Sequence, residues 1–230
     1  MNIDVTKHTT AQDISIMSTK KYKEILTQKV LYISIKRIID VVFSILALIL
    51  LAPVFAIIAL AIKIESKGPV FFKHTRVGKN GKIIKIYKFR TMVENAEELI
   101  QNFTPEQMKE YKEHYKLAKD PRITKVGRFL RKTSIDELPQ FINIVKGEMS
   151  LIGPRPVVQE ELKKYGINTE KFLSVTPGLT GYWVANGRSC TSYEERMKME
   201  LYYVDNMNLK MDIKIFFKTI ASVLRREGAV

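Results

Sequence analysis

The sequence predicts an α+β, mainly helical protein: an N-terminal re-entrant membrane helix–break–helix, then a small domain with a β-hairpin and interfacial amphipathic helices. Three observations lead there. Residues 41–62 are apolar without a single charge, carry one hydroxyl at Ser44, and are broken mid-way by Pro53. Asn80-Gly81 stands between two apolar-rich runs, a strong hairpin signal. The C-terminal stretch returns to helical spacing.

Residues 1–31 are a polar lead-in with weak periodicity, and residues 32–66 form the anchor. As a straight helix the apolar run would be roughly 33 Å long at ~1.5 Å per residue, enough to cross a bilayer. Both flanks are basic, with Lys29, Lys36 and Arg37 before it and Lys63, Lys67, Lys73 and Arg76 after it. Positive flanks prefer the cytoplasmic side, and a single crossing would send one of them outward. Pro53 removes a backbone donor and clashes with the preceding turn, so a bend there lets both flanks stay on one side. A kinked transmembrane helix is the competing reading. The run starts too late for a cleaved signal peptide and lacks a small-residue cleavage pattern.

Residues 67–230 form the compact domain. From 63 to 92, nine Lys or Arg stand against one Glu, so the hairpin is strongly basic. Residues 93–118 read as two helices, the second starting at Thr104 with Pro105 in its first turn. Ser134 and Glu137 fit a capping box, which predicts a helix starting there. The run Gly153-Pro154-Arg155-Pro156 fixes a stiff extended loop around one arginine. A helical stretch near 157–165 precedes a turn-rich run at 176–188. The tail from about 192 to 226 reads as two helices parting near 206–208. In its second half Leu209, Ile213, Phe216, Phe217, Ile220 and Leu224 share one face, and Lys210, Lys214 and Lys218 line another. Such a helix either packs on the core or lies in a membrane interface.

The net charge of +14 calls for an anionic partner. Basic residues interleaved with membrane-seeking runs favour lipid headgroups and phosphates, and no nucleic-acid reader pattern is visible. The single Cys190 excludes an internal disulfide, and the scattered His8, His74 and His114 show no zinc spacing.

Chemistry concentrates around Asp136 and Glu137. Adjacent helical residues point about 100° apart, so these carboxylates suit two roles better than one matched acid–base pair. Acidic residues also favour the first turn of a helix for its dipole, and a purely structural role stays open. Arg128, Arg131 and Lys132 precede the pair and Arg155 comes after it; together they could hold phosphate oxygens. An ionised carboxylate in such a site can attack phosphorus, with a divalent cation to offset the charge.

In this setting the chain resembles the monotopic phosphoglycosyl transferases, or bacterial sugar transferases. The matching text is KRIID at 36–40, the Pro-broken anchor, GPVFF at 68–72, KFRTM at 88–92 and DPRIT at 120–124. It continues with SIDELPQ at 134–140, MSLIGPRP at 149–156, PGLTG at 177–181 and NGR at 186–188, in order over about residues 32–228. The anchor break is Ala52-Pro53 where the family often has Ser-Pro, and GYWVANGR departs from the common GWAQVNGR. The resemblance implies transfer of a sugar 1-phosphate from a UDP-sugar to undecaprenyl phosphate on the cytoplasmic face of the bacterial inner membrane. It implies Asp136 as nucleophile, Glu137 as Mg²⁺ ligand, and Arg131, Arg155, Arg188, Lys88 and Arg90 as phosphate or nucleotide contacts. A homodimer is left open. The rival expectation from another class is a non-catalytic adaptor binding anionic lipids at the membrane surface.

Overall fold

The computed structural model describes residues 11–114, 117, 120–187 and 191–225, with side chains from Lys29 onward except at 112–114, 223 and 224. Arg188 and Cys190 lie outside the described residues, as does the side chain of Leu224. The chain divides into two units, Met1–Ile39 and Asp40–Val230. In the first, the polar lead-in is helical from Ala11, which opens the 55-residue helix α1 (Ala11–Glu65).

Helix assignment in α1 continues through Pro53, so the bend expected there does not interrupt it. From Asp40 onward α1 is two-faced. Phe43 packs on Phe141 and edge-on against Phe216, while Phe55 meets Phe89 edge-on at 5.1 Å. Ile58 and Ile62 are buried in the same cluster as Phe89 and Leu130. The buried Asp40 accepts a hydrogen bond from the Leu151 amide at 2.9 Å. The opposite side, including Val42, Leu46, Leu50, Val54 and Leu60, is exposed and wholly apolar.

The expected hairpin is present: β1 (Phe71–Val77) pairs antiparallel with β2 (Ile83–Phe89) from Phe71↔Phe89 to Val77↔Ile83. Asn80 at φ 55° and Gly81 at φ 79° supply the two positive φ angles of a type I′ turn. On β2 Ile84, Ile86 and Phe89 turn inward. The expected helix from Thr104 is α2 (Pro105–His114), preceded by a short 3₁₀ turn, Glu98–Asn102. The next helix, α3 (Lys125–Thr133), is capped by Thr124, whose side chain accepts from the Gly127 amide at 2.9 Å.

The capping-box expectation at Ser134 is corrected. Ser134 sits at φ 57° and closes α3 from behind, its own amide donating to Arg131, and its side chain caps nothing. The chain then winds as a 3₁₀ segment, Ile135–Gln140, before α4 (Phe141–Lys146). Pro139 lies inside that segment and has no N–H to bond the carbonyl four residues back, which disfavours α winding there. A capping box does form at Ser192–Glu195, opening α8 (Tyr193–Asn206).

The run at 176–188 holds more order than turns. Strand β3 (Ser150–Ile152) pairs in parallel with β4 (Gly178–Thr180), which leads into the five-residue α7 (Tyr182–Asn186). A Cβ on Gly178 would collide with the Gly153 backbone, so glycine is what lets these two strands approach. Between β3 and β4 lie α5 (Gln159–Leu162) and α6 (Thr169–Leu173). The last helix is α9 (Leu209–Leu224). Among its described side chains Asp212, Ile215 and Ser222 are buried, whereas Leu209, Ile213, Phe217 and Ile220 are exposed. The predicted apolar face therefore looks mostly outward, and Asp212 points inward to take the Tyr203 hydroxyl at 2.7 Å.

Candidate active site

Asp136 and Glu137 sit in the 3₁₀ segment between α3 and α4, directly under β2. At about three residues per turn, neighbours there diverge by about 120°, more than in an α-helix. The two carboxylates accordingly have different surroundings. Glu137 Oε1 lies 2.7 Å from Lys88 Nζ on β2 and 3.5 Å from an Arg155 guanidinium nitrogen in the GPRP loop. Burial alone would raise its pKa, but Lys88 and Arg155 outweigh that and hold the carboxyl down to about 2. For Asp136, burial leads and the Glu137 charge adds to it, pushing the carboxyl up to about 6 against the pull of Lys88 and Arg131. One carboxylate is thus firmly ionised and committed to cations, the other sits in a tighter, less compensated place.

Arg131 reaches the site from α3, its Nε donating to Thr91 Oγ1 at 2.9 Å. Thr91 is next to Arg90 in KFRTM, so this motif and α3 are stitched at the carboxylates. Arg90 goes elsewhere: its guanidinium donates to the Ser66 carbonyl at 2.8 Å and to Ser66 Oγ at 3.0 Å, and to the Lys67 carbonyl. It fastens the chain where α1 ends, and the structure does not bring it to the acidic pair. Of the sequence-predicted residues, Lys88, Arg131, Arg155, Asp136 and Glu137 converge; Arg188 lies outside the described residues.

Two acidic residues that sequence reasoning passed over, Glu161 and Glu200, brace the elements around this centre. Glu200 is buried, and its Oε1 accepts from the Arg155 amide at 3.1 Å, fixing the GPRP loop. Burial pushes Glu200 up to about 7. Glu161 collects Arg76 and Arg196, each at 3.3 Å, and the Tyr193 hydroxyl at 3.1 Å. Arg196 also lies over the Trp183 ring. Burial, then the charges of Arg76, Lys88 and Arg155, drive His74 down to about 4, which leaves it neutral. For Glu161 and Glu200 the only signal in the sequence was an acidic residue within a predicted helix. Such residues read equally well as surface charge until packing buries them.

Comparison with known proteins decides the family. The family model described as bacterial sugar transferase matches residues 31–226. The chain belongs to the bacterial sugar transferase family. Among its sugar transferase relatives is the exopolysaccharide production protein ExoY of Sinorhizobium fredii, 45% identical over 84% of this chain and 87% of that protein. The undecaprenyl-phosphate galactose phosphotransferase of Salmonella typhimurium is 45% identical over 85% of this chain and 41% of its own length. The UDP-glucose:undecaprenyl-phosphate glucose-1-phosphate transferase of Escherichia coli is 40% identical over 81% of this chain and 39% of its own. The chain thus spans about two fifths of the length of the Salmonella and Escherichia sugar transferases, and of the one from Haemophilus influenzae.

Proposed function

We propose that this chain transfers a sugar 1-phosphate from a UDP-sugar to undecaprenyl phosphate, opening the assembly of a bacterial surface polysaccharide. An Asp136 carboxylate oxygen attacks the sugar-bearing phosphorus, an acyl-phosphate bond forms, and the bond to the departing UMP oxygen breaks. A phosphate oxygen of the lipid then attacks the same phosphorus, the acyl-phosphate bond breaks to free the Asp136 carboxylate, and the lipid diphosphate sugar leaves. The observation that carries this reading is the asymmetric pair: Asp136 with Arg131 beside it, and Glu137 tied to Lys88 and Arg155. In this reading Arg131, Arg155 and Lys88 would meet phosphate oxygens as the charge spreads in transfer.

A Mg²⁺ fits the donor set. Among the described residues no cluster of three or more His, Cys, Asp or Glu could cage a metal. Magnesium needs no such cage, since one or two carboxylates plus substrate phosphates and waters suffice. Both ion pairs of Glu137 fall on Oε1, and Glu137 would supply a hard oxygen to the ion. When bound, the ion neutralises charge on the diphosphate.

The domain sits on the cytoplasmic face of the inner membrane in this reading, with α1 re-entrant. Support comes from contacts at both ends of the apolar run. Asp40 and Phe43 near its start, and Phe55 and Ile62 near its end, all touch the same basic domain. A straight crossing would draw charged protein surface into hydrocarbon along with the helix. Mass spectrometry of the purified chain with Mg²⁺ and a panel of UDP-sugars, before acceptor is added, tests the chemistry. A hexose-phosphate adduct on the peptide containing Asp136, lost in Asp136→Asn, is expected; absence of both the adduct and UMP release sinks it. Labelling single cysteines at 36 and 67 in intact cells tests the topology, with same-side labelling expected.

A further inference from the structure

A groove of about 400 Å³ runs between the anchor and the helix that leads into the acidic pair. Ile57, Ile58 and Ala61 of α1 form one wall, and Val126, Phe129 and Leu130 of α3 the other, with Lys125 at the rim. Leu130 and Ile58 are buried and make the floor, while Phe129 is 60% and Ile57 69% exposed. The groove is held open by a defined contact. The Glu65 carboxylate at the end of α1 accepts the amides of Lys125 and Val126, at 2.6 and 2.9 Å, and pins the first turn of α3 to the anchor.

We propose that this groove seats the isoprenoid chain of the lipid phosphate acceptor, guiding its phosphate around the end of α3 to Asp136. The proposal rests on the transferase reading above. The groove is of ligand size and apolar, so a soluble sugar nucleotide has nothing to gain there. One wall belongs to the membrane anchor, so it opens where a lipid can enter. Its apolar floor continues toward the catalytic pair, since Leu130 and Ile58 share a cluster with Ile135, the residue preceding Asp136. Arg131 leaves α3 on the other side and stands at the carboxylates. The exposed Lys125, Arg128 and Lys132 make the helix basic, complementary to an anionic lipid and repulsive to a second copy of this chain.

The full chain in lipid nanodiscs, with a photoreactive polyprenyl phosphate, tests this directly. Adducts are expected on peptides covering 57–61 and 126–130, with undecaprenyl phosphate protecting them and phosphatidylglycerol not. Equal protection by phosphatidylglycerol, or by crowding the protein so that another copy covers the groove, overturns the proposal. So do adducts confined to other segments. In turnover, Phe129→Ala removes a wall and Ala61→Phe fills the space. Both should raise the acceptor KM at least about tenfold relative to the donor KM, as expected for losing contacts to a buried apolar chain. An unchanged ratio overturns the proposal. Photolabelling needs no catalysis, so a chain that labels in the groove yet releases no UMP from any donor indicts the transferase reading alone.

Discussion

Lys88 Nζ stands 2.7 Å from Glu137 Oε1, joining the open end of the basic hairpin to the acidic pair. With Arg155 it keeps Glu137 charged at any physiological pH. Lys88→Met keeps the length of the stem but removes the cation. Its expected effect is a fall in turnover of roughly 10²-fold, the scale seen when one preorganised charge-stabilising donor is lost. Steady-state UMP release at saturating donor checks it, with circular dichroism confirming the fold. Turnover within threefold of the parent would remove Lys88 from the chemistry.

Asp120 and Arg122 form a buried pair at 2.7 Å, with side chains 2% and 6% exposed. Burial works against the Asp120 charge, but the Arg122 hydrogen bonds win and lower its pKa. Arg122 is also stacked over Phe103 and Tyr111. Asp120→Ala would leave the guanidinium buried and uncompensated, costing about 3–5 kcal/mol. Denaturant unfolding measures it, and a cost below ~1 kcal/mol contradicts the assignment. Because Asp120 is depressed, its contribution is present above the ordinary carboxylate range and fades as pH falls through its lowered value.

Glu200 gives the opposite sign. Its pKa is raised by burial from 4.5 to about 7, so the folded chain holds a proton that the unfolded chain has released. Folding takes up that proton between pH 4.5 and about 7, and stability falls as pH rises through the window. Glu200→Gln keeps an oxygen for the Arg155 amide and removes the titration. Its melting temperature should gain on the parent steadily from about pH 5 to about pH 8. Parallel curves for the two proteins would refute this account of Glu200.

Gly178 is where β4 meets the loop after β3, with no room for a methyl group beside the Gly153 backbone. Gly178→Ala is expected to destabilise the protein by about 1–3 kcal/mol. It should also weaken the donor half-reaction, since the same approach aligns the GPRP loop holding Arg155. A variant with unaltered melting temperature and donor kinetics would show that the strands part without consequence.

Residue patterns carried a good part of this fold. Asn80-Gly81 fixed the hairpin because only a positive-φ pair turns two twisted strands so tightly, and Pro105 marked the start of α2. Asp136, Glu137, Lys88, Arg131 and Arg155 were legible as a group because motif order places charge around one short segment. Illegible were the features set by distant packing. Ser134 looks like a helix start, yet Pro139, five residues on, shifts the winding to 3₁₀ and leaves Ser134 as the end of α3. The parallel pairing of β3 and β4 joins segments some 25 residues apart with only three residues in each strand, too short for periodicity to show. Arg90 reads as a phosphate ligand in its motif, and only the position of Ser66 explains where it goes.

Because Leu48, Leu51, Ile58 and Ile62 are packed into the clusters that hold Ile86, Phe89 and Leu130, the hydrophobic segment is also internal scaffolding. Trimming it away to obtain a freely dissolved catalytic fragment would open the interior of that fragment. Solubilisation of this protein therefore has to proceed by screening the outward stripe with amphiphiles, since surgery at the amino terminus removes what the remainder folds around.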